Sequence, residues 1–114
     1  MSRYEKGARL ERKVKADLEG CGYVVYRAAG SKGSADLIAL REGETLLVQV
    51  KTSNAVLGRV ERLRLLTEAL FTGSKAVLAT TGPHPTDGRR TVLRLFHVVG
   101  KGPKDLVEFE VMPS

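Results

Sequence analysis

Apolar positions recur along this chain with two periods, and the changes of period mark out its elements. Leu10, Val14 and Leu18 stand at i, i+4 and i+8, which predicts a helix over 7–20, stopped by Gly20 and Gly22. The run YVVYRA at 23–28 is β-branched and aromatic and predicts a strand. GSKGS at 30–34 predicts a loop. ADLIAL at 35–40 and TLLVQVK at 45–51 predict two strands joined by the tight turn REGE at 41–44, hence a hairpin. A second helix fits about 58–72, with Val60, Leu63, Leu66, Leu70 and Phe71 as its apolar side. KAVLAT at 75–80 predicts a short strand, and TGPHPTDGRR at 81–90, with two Pro and two Gly, predicts a loop. TVLRLFHVV at 91–99 and LVEFEV at 106–111 predict the last two strands.

The order α-β-β-β-α-β-β-β predicts an α/β fold, a mixed central β-sheet flanked by helices. The 114 residues suit a single domain, 1–114, with one core. Hydrophobic residues make up 42% and aromatic residues only 5%, without Trp, so Val, Leu and Ala must fill that core. No apolar run approaches the roughly 18 residues that a membrane span needs. The charged start MSRYEKGARLERKVK lacks the apolar stretch of a signal peptide. Both features set the expectation of an intracellular, cytoplasmic protein. Cys21 is the one cysteine, which excludes an internal disulfide or a Cys-rich zinc site. The net charge of +6, doubled to +12 in a homodimer, suits a polyanion, because neutralised phosphates release counterions.

Four polar side chains break the apolar pattern. Glu11 falls on or beside the stripe of Leu10, Val14 and Leu18, where a carboxylate needs a partner: an Arg or Lys nearby, or a metal ion. Asp36 opens an otherwise apolar strand directly after a Gly/Ser loop, as a turn-ending residue or as a ligand. Gln49 and Lys51 share one face of their strand, with Val48 and Val50 on the other. An Asp at one strand start, a short turn, and a second strand ending in amide-x-Lys have the form of a metal nuclease hairpin. Mg²⁺ takes oxygen ligands and keeps several waters. Asp36, the Gln49 side-chain oxygen and the Val50 carbonyl can meet from adjacent strands, and Glu11 can approach from the helix. Lys51 would then stabilise charge on a phosphate or orient the attacking water.

The segment YEKGARLERKVKADLEGCGYVVYRAAGSKGSADLIAL followed by LLVQVK resembles the archaeal Holliday junction resolvases, within the PD-(D/E)xK nuclease superfamily. The resemblance covers about residues 4–53. It implies a restriction-endonuclease-like fold, Mg²⁺ as cofactor with Mn²⁺ as a substitute, branched DNA (the four-way junction) as substrate, and products with 5′-phosphate ends. It places the active-site Glu, Asp and Lys on Glu11, Asp36 and Lys51. It also implies that Arg12 and Arg27 handle DNA phosphate or structure the site, and that Ser31 contacts phosphate from the loop. This chain departs at Gln49, where the family has Glu, which lowers the charge available to a metal. Three alternatives remain: a nuclease for flaps, nicks or mismatches, the cutting part of a restriction system, and a junction binder whose catalysis has decayed.

Further DNA contacts are expected from Lys6, Arg9 and Lys13 on one helix side, from Lys32 in the Gly/Ser loop, and from Arg89 and Arg90 in the Pro/Gly loop. His84 and His97 have no ligand-spaced partner and are read as structural. A four-way junction offers two strands to a chain with one site, so a homodimer is expected. Val107, Phe109 and Val111 are its candidate seam.

Overall fold

The structure, a computed structural model, describes residues 3–28, 34–52, 57–84 and 86–111. The expected elements form in the expected order. Helix α1 runs Arg3–Gly20, and strands β1 (Val24–Arg27), β2 (Leu37–Arg41) and β3 (Glu44–Val50) follow. Helix α2 (Arg59–Thr72) then leads to β4 (Lys75–Pro83), β5 (Thr91–Val98) and β6 (Leu106–Phe109). The six strands form one sheet in chain order, β1-β2-β3-β4-β5-β6. Every neighbouring pair is antiparallel except β3 with β4, which are parallel and joined through α2. The sheet is therefore mixed, as expected. Parallel neighbours need a long crossover, and α2 supplies it.

Each helix covers one face. The α1 stripe packs Leu10, Val14 and Leu18 against Tyr23, Val25, Leu37, Ala39, Leu46, Val48, Val77, Ala79 and Leu95. Leu65 and Ala69 of α2 pack with Leu47, Leu57, Ala76, Leu78 and Val98 on the opposite face. The period-2 alternation of β3 divides its side chains between these two cores. At the β2–β3 turn Gly43 has φ +71°, which only Gly adopts cheaply. Arg41 and Glu44 close that turn with a 3.1 Å ion pair. Gly73, at φ +66°, ends α2 in the left-handed conformation.

Three expectations are corrected. First, the apolar side assigned to α2 is mostly its outer one. Val60, Leu70 and Phe71 are 70%, 83% and 86% exposed, while Arg62, Leu65 and Ala69 are buried. Positions 62, 65 and 69 define the inner stripe at helical spacing, and an arginine takes one of its places. Arg62 fits because it donates from Nη1 to the Lys101 carbonyl and from Nη2 to the Leu57 carbonyl, each at 2.7 Å. Its Nε is the one buried side-chain polar atom without a hydrogen-bond partner among the described residues.

Second, the loop assigned to 81–90 is shorter. β4 continues through Thr81 and Gly82 to Pro83, paired with Leu93, Val92 and Thr91. Proline is tolerated there because the β3–β4 pairing ends at Ala79, so at Pro83 the strand is an edge on the side its nitrogen faces. The return turn is held by His84, whose Nδ1 accepts the N–H groups of Thr86 and Asp87. Third, Val107, Phe109 and Val111 do not form one free apolar face. Phe109 and Val111 pack against the α1-side core, and Phe109 stacks on His97 with ring centroids 3.9 Å apart. Val107 alone of the three is exposed.

Candidate active site

The strands bring the polar positions to one end of the sheet. β2 begins there, and β3 and β4, being parallel, both end there. Asp36 stands just before β2, opposite Gln49. Its N–H donates to the Val48 carbonyl at 2.8 Å, and its Oδ2 accepts the Val50 N–H at 2.8 Å. The Lys51 N–H donates to the Ala79 carbonyl at 2.9 Å and so continues the β3–β4 ladder past the end of β3. The backbone on both sides of Gln49 is thereby fixed. Gln49 itself is buried on the face toward α2.

Glu11 reaches this end from α1, which packs against β1, β2 and β3. It lies 3.6 Å from the Arg27 Nε, at the end of β1. Of the two readings of Glu11, the arginine partner is present, and the Asp36 charge also acts on the carboxyl. Burial pushes the Glu11 carboxyl above its usual range, the Asp36 charge adds to the rise, and Arg27 only partly opposes it. Asp36 is likewise raised, chiefly by burial; the Val50 N–H and Lys51 pull the other way, and Glu61 raises it further. Two half-buried carboxylates that repel each other are donors a hard cation would relieve. Among the described residues no group of three or more His, Cys, Asp or Glu side chains is gathered closely enough to hold a metal. An ion here would draw on these two carboxylates, the Gln49 amide, backbone oxygen and water, a set that suits Mg²⁺.

Sequence reasoning missed two acids on α2, one paired with Lys51 and the other holding Ser34. Glu61 Oε2 is 2.8 Å from the Lys51 Nζ. Glu68 accepts the N–H of Ser34 at 2.8 Å and the Ser34 hydroxyl as well. It fixes the point where the Gly/Ser loop rejoins β2. The only sequence signal for Glu61 was its place three residues after Gly58, where a helix start favours Glu. Glu68 had none, since its partner lies 34 positions away.

The remaining candidates divide. Lys6, Arg9, Arg12, Lys13 and Arg27 are all exposed, and Arg89 and Arg90 are exposed on the β4–β5 turn, at the site's end of the sheet. Ser31 and Lys32 lie outside the described residues. A cleft of about 760 Å³ opens elsewhere, between the last turns of α1 and strands β5 and β6, beside Cys21, His84 and Phe109. It is lined by none of Glu11, Asp36, Lys51 or Glu61.

Mixed sheet, flanking helices and the Asp-strand-turn-strand-Gln-x-Lys hairpin together have the arrangement of the PD-(D/E)xK nuclease fold. The sequence model of the family described as archaeal Holliday junction resolvase (Hjc) matches residues 2–83, and the chain belongs to that family. Over 52 residues it is 52% identical to the crossover junction endodeoxyribonuclease Hjc of Methanocaldococcus jannaschii. That match covers 46% of this chain and 38% of the relative, so the chain spans well under half the length of the curated protein it matches. The structure is similar to that of Hjc from Archaeoglobus fulgidus, a Holliday junction resolvase from an archaeal hyperthermophile. The TM-score is 0.68 and the identity 28%, over 81% of this chain and 72% of the other.

Proposed function

We propose that this protein is a structure-specific endodeoxyribonuclease that resolves four-way DNA junctions by hydrolysing phosphodiester bonds with a divalent cation. The observation that carries the reading is the meeting of Asp36, Lys51 and Glu11 at one sheet end, on backbone fixed by the Asp36–Val50 hydrogen bond. Glu11, Asp36, Gln49 and the Val50 carbonyl would hold Mg²⁺, with Mn²⁺ as a substitute. Such an ion, when bound, supplies positive charge at the scissile phosphate and a more acidic water. Lys51 holds an ammonium where negative charge grows on the phosphate. Arg27, beside Glu11, and Arg12, exposed on the same helix, offer guanidinium forks to neighbouring phosphates. The sequence adds Ser31 and Lys32 to the same proposed phosphate contacts. Recognition runs through the position of phosphates at the branch rather than through base edges.

The test is cleavage of a synthetic four-way junction, a flap and a linear duplex side by side with Mg²⁺. Paired cuts in the junction, with the duplex intact, are expected. Preferential cutting of the flap would move the protein to another nuclease of the same fold. Junction binding without any cutting would favour the decayed binder.

Two-fold symmetry would supply the second site that a junction requires. The surface that fits a second copy is the outer stripe of α2. Val60 and Phe71 lie on one side of the helix with Leu70 beside them, all exposed. Aromatic side chains dominate such contacts. A Phe71→Asp variant is therefore expected to run as a monomer in sedimentation at micromolar concentration, its self-association weakened by about 100-fold, or roughly 3 kcal/mol. The parent should run as a dimer. A Phe71→Asp protein that stays dimeric would remove α2 from the interface.

A further inference from the structure

We infer that Glu61 supplies, from the first turn of α2, the negative charge that Gln49 leaves out of the strand, and that it acts by holding the Lys51 ammonium at the edge of the site. This rests on the nuclease reading above and adds a positioning residue to it.

Gln49 and Lys51 leave β3 on the face that α2 covers. Where the resemblance expects a strand carboxylate two residues before the lysine, this chain has a neutral amide, and Lys51 needs another counter-charge. Glu61 provides it at 2.8 Å. The carboxylate is not free to wander. Its other oxygen, Oε1, accepts the N–H of Gly58 at 3.2 Å, which ties it to the start of the helix. One side chain thus links the helix N-terminus to the catalytic strand. Burial raises the Glu61 carboxyl, but the Lys51 ammonium and the Gly58 N–H outweigh it, and the group lies below its usual range. It is ionised at neutral pH, and its charge is felt at Asp36. Glu11, Asp36 and Glu61 then set three negative charges against Lys51 and Arg27, even though β3 contributes none of the three.

The helix cap alone would explain a Glu at this position, and one substitution separates the two roles. Glutamine also accepts the Gly58 N–H at the third position of a helix, so Glu61→Gln keeps the cap and removes the charge. If the cap were all, nothing else would change.

The experiment compares the parent, Glu61→Gln and Glu61→Gln/Gln49→Glu, after thermal melting has confirmed that all three are folded. Mn²⁺ affinity is measured by calorimetry without DNA, and single-turnover cutting and junction affinity are measured alongside. For Glu61→Gln we expect Mn²⁺ binding weaker by about fivefold and cutting slower by about tenfold or more, with junction affinity within about twofold. Restoring a strand carboxylate in the double variant should return both metal affinity and rate to within about threefold of the parent. Unchanged Mn²⁺ affinity or an unchanged rate in Glu61→Gln would overturn the inference. So would a faster rate, the result expected if the ion pair withholds Lys51 from the substrate, and so would a double variant that recovers nothing. If the parent cuts no DNA at all, the nuclease reading fails, and the Mn²⁺ titration alone decides whether Glu61 charges the site.

Discussion

An Asp36→Asn variant is expected to lose DNA cutting by on the order of a thousandfold, about 4 kcal/mol of barrier, while its junction affinity stays within a few-fold of the parent. The asparagine oxygen can still accept the Val50 N–H, so the end of β3 should keep its backbone. What is lost is the charge that a divalent cation would use. The same substitution carries a second expectation with an unusual sign. Burial holds the Asp36 carboxyl above its ordinary range in the folded protein. The folded state therefore keeps that proton more tightly than the unfolded chain does. The stability this contributes is fully present below the unfolded pKa and is lost as pH rises through the folded one. At neutral pH, without metal, the ionised Asp36 works against folding. Asp36→Asn should accordingly melt higher than the parent at pH 7 in a chelator, and the gap should close on acidification. Glu11, also raised by burial and by Asp36, should behave in the same direction under Glu11→Gln. Cutting by the parent should fall away on acidification at a pH above the ordinary carboxylate range. A variant that cuts at near parental rate would remove its residue from the mechanism. Equal melting of Asp36→Asn and parent at pH 7 would show that the site does not hold the carboxylate under strain.

Junction binding should weaken by roughly a thousandfold or more between 50 and 200 mM salt if six or more phosphates are neutralised. The charge that drives this is concentrated. Lys6, Arg9, Arg12 and Lys13 are exposed on α1, the helix that also delivers Glu11. Arg89 and Arg90 stand exposed on the turn that projects from the same end of the sheet. A dimer doubles the net charge of +6. Replacing Lys6, Arg9 and Lys13 by Ala should weaken binding evenly across junction sequences. It should also flatten the log–log salt slope by about one for each phosphate that the variant no longer neutralises. A dissociation constant that barely responds to salt would rule out a phosphate-dominated surface.

The parts of this fold that could be read from the chain are those governed by local period. Leu10, Val14 and Leu18 fall on one stripe and are all buried, because a helix with a single apolar face has one way to sit on a sheet. The hairpin was readable from two apolar runs around Gly43. Asp36 and Lys51 were readable because a sheet carries register from one strand to the next, so spacing along the chain becomes distance in space. Helix α2 misled because it has apolar residues nearly all round, and the buried choice fell on the side that includes Arg62. That arginine is tolerated only because the Leu57 and Lys101 carbonyls meet it, an arrangement no periodicity encodes. Neither Glu61, whose one signal was a helix start, nor Glu68 could be assigned to Lys51 or Ser34, for the same reason. Their partners, Lys51 and Ser34, belong to other elements, and which side of α2 meets the sheet had to be known first.

Strand order in this sheet equals chain order, and that bears on how the molecule assembles. Each strand finds its partner in the one just made, so no late strand must be threaded between earlier ones. The single long closure is the β3-to-β4 crossover, which docks α2 and with it the Lys51–Glu61 pair. Pairings between strands adjacent in sequence keep contact order low and favour rapid folding. Glu11, Asp36, Lys51 and Glu61, the side chains proposed for the site, all lie within the first 61 residues, ahead of β5 and β6. Descendants of this chain would be freest to vary along that last edge, where a lengthened turn or a new strand could add surface without moving any of these four side chains.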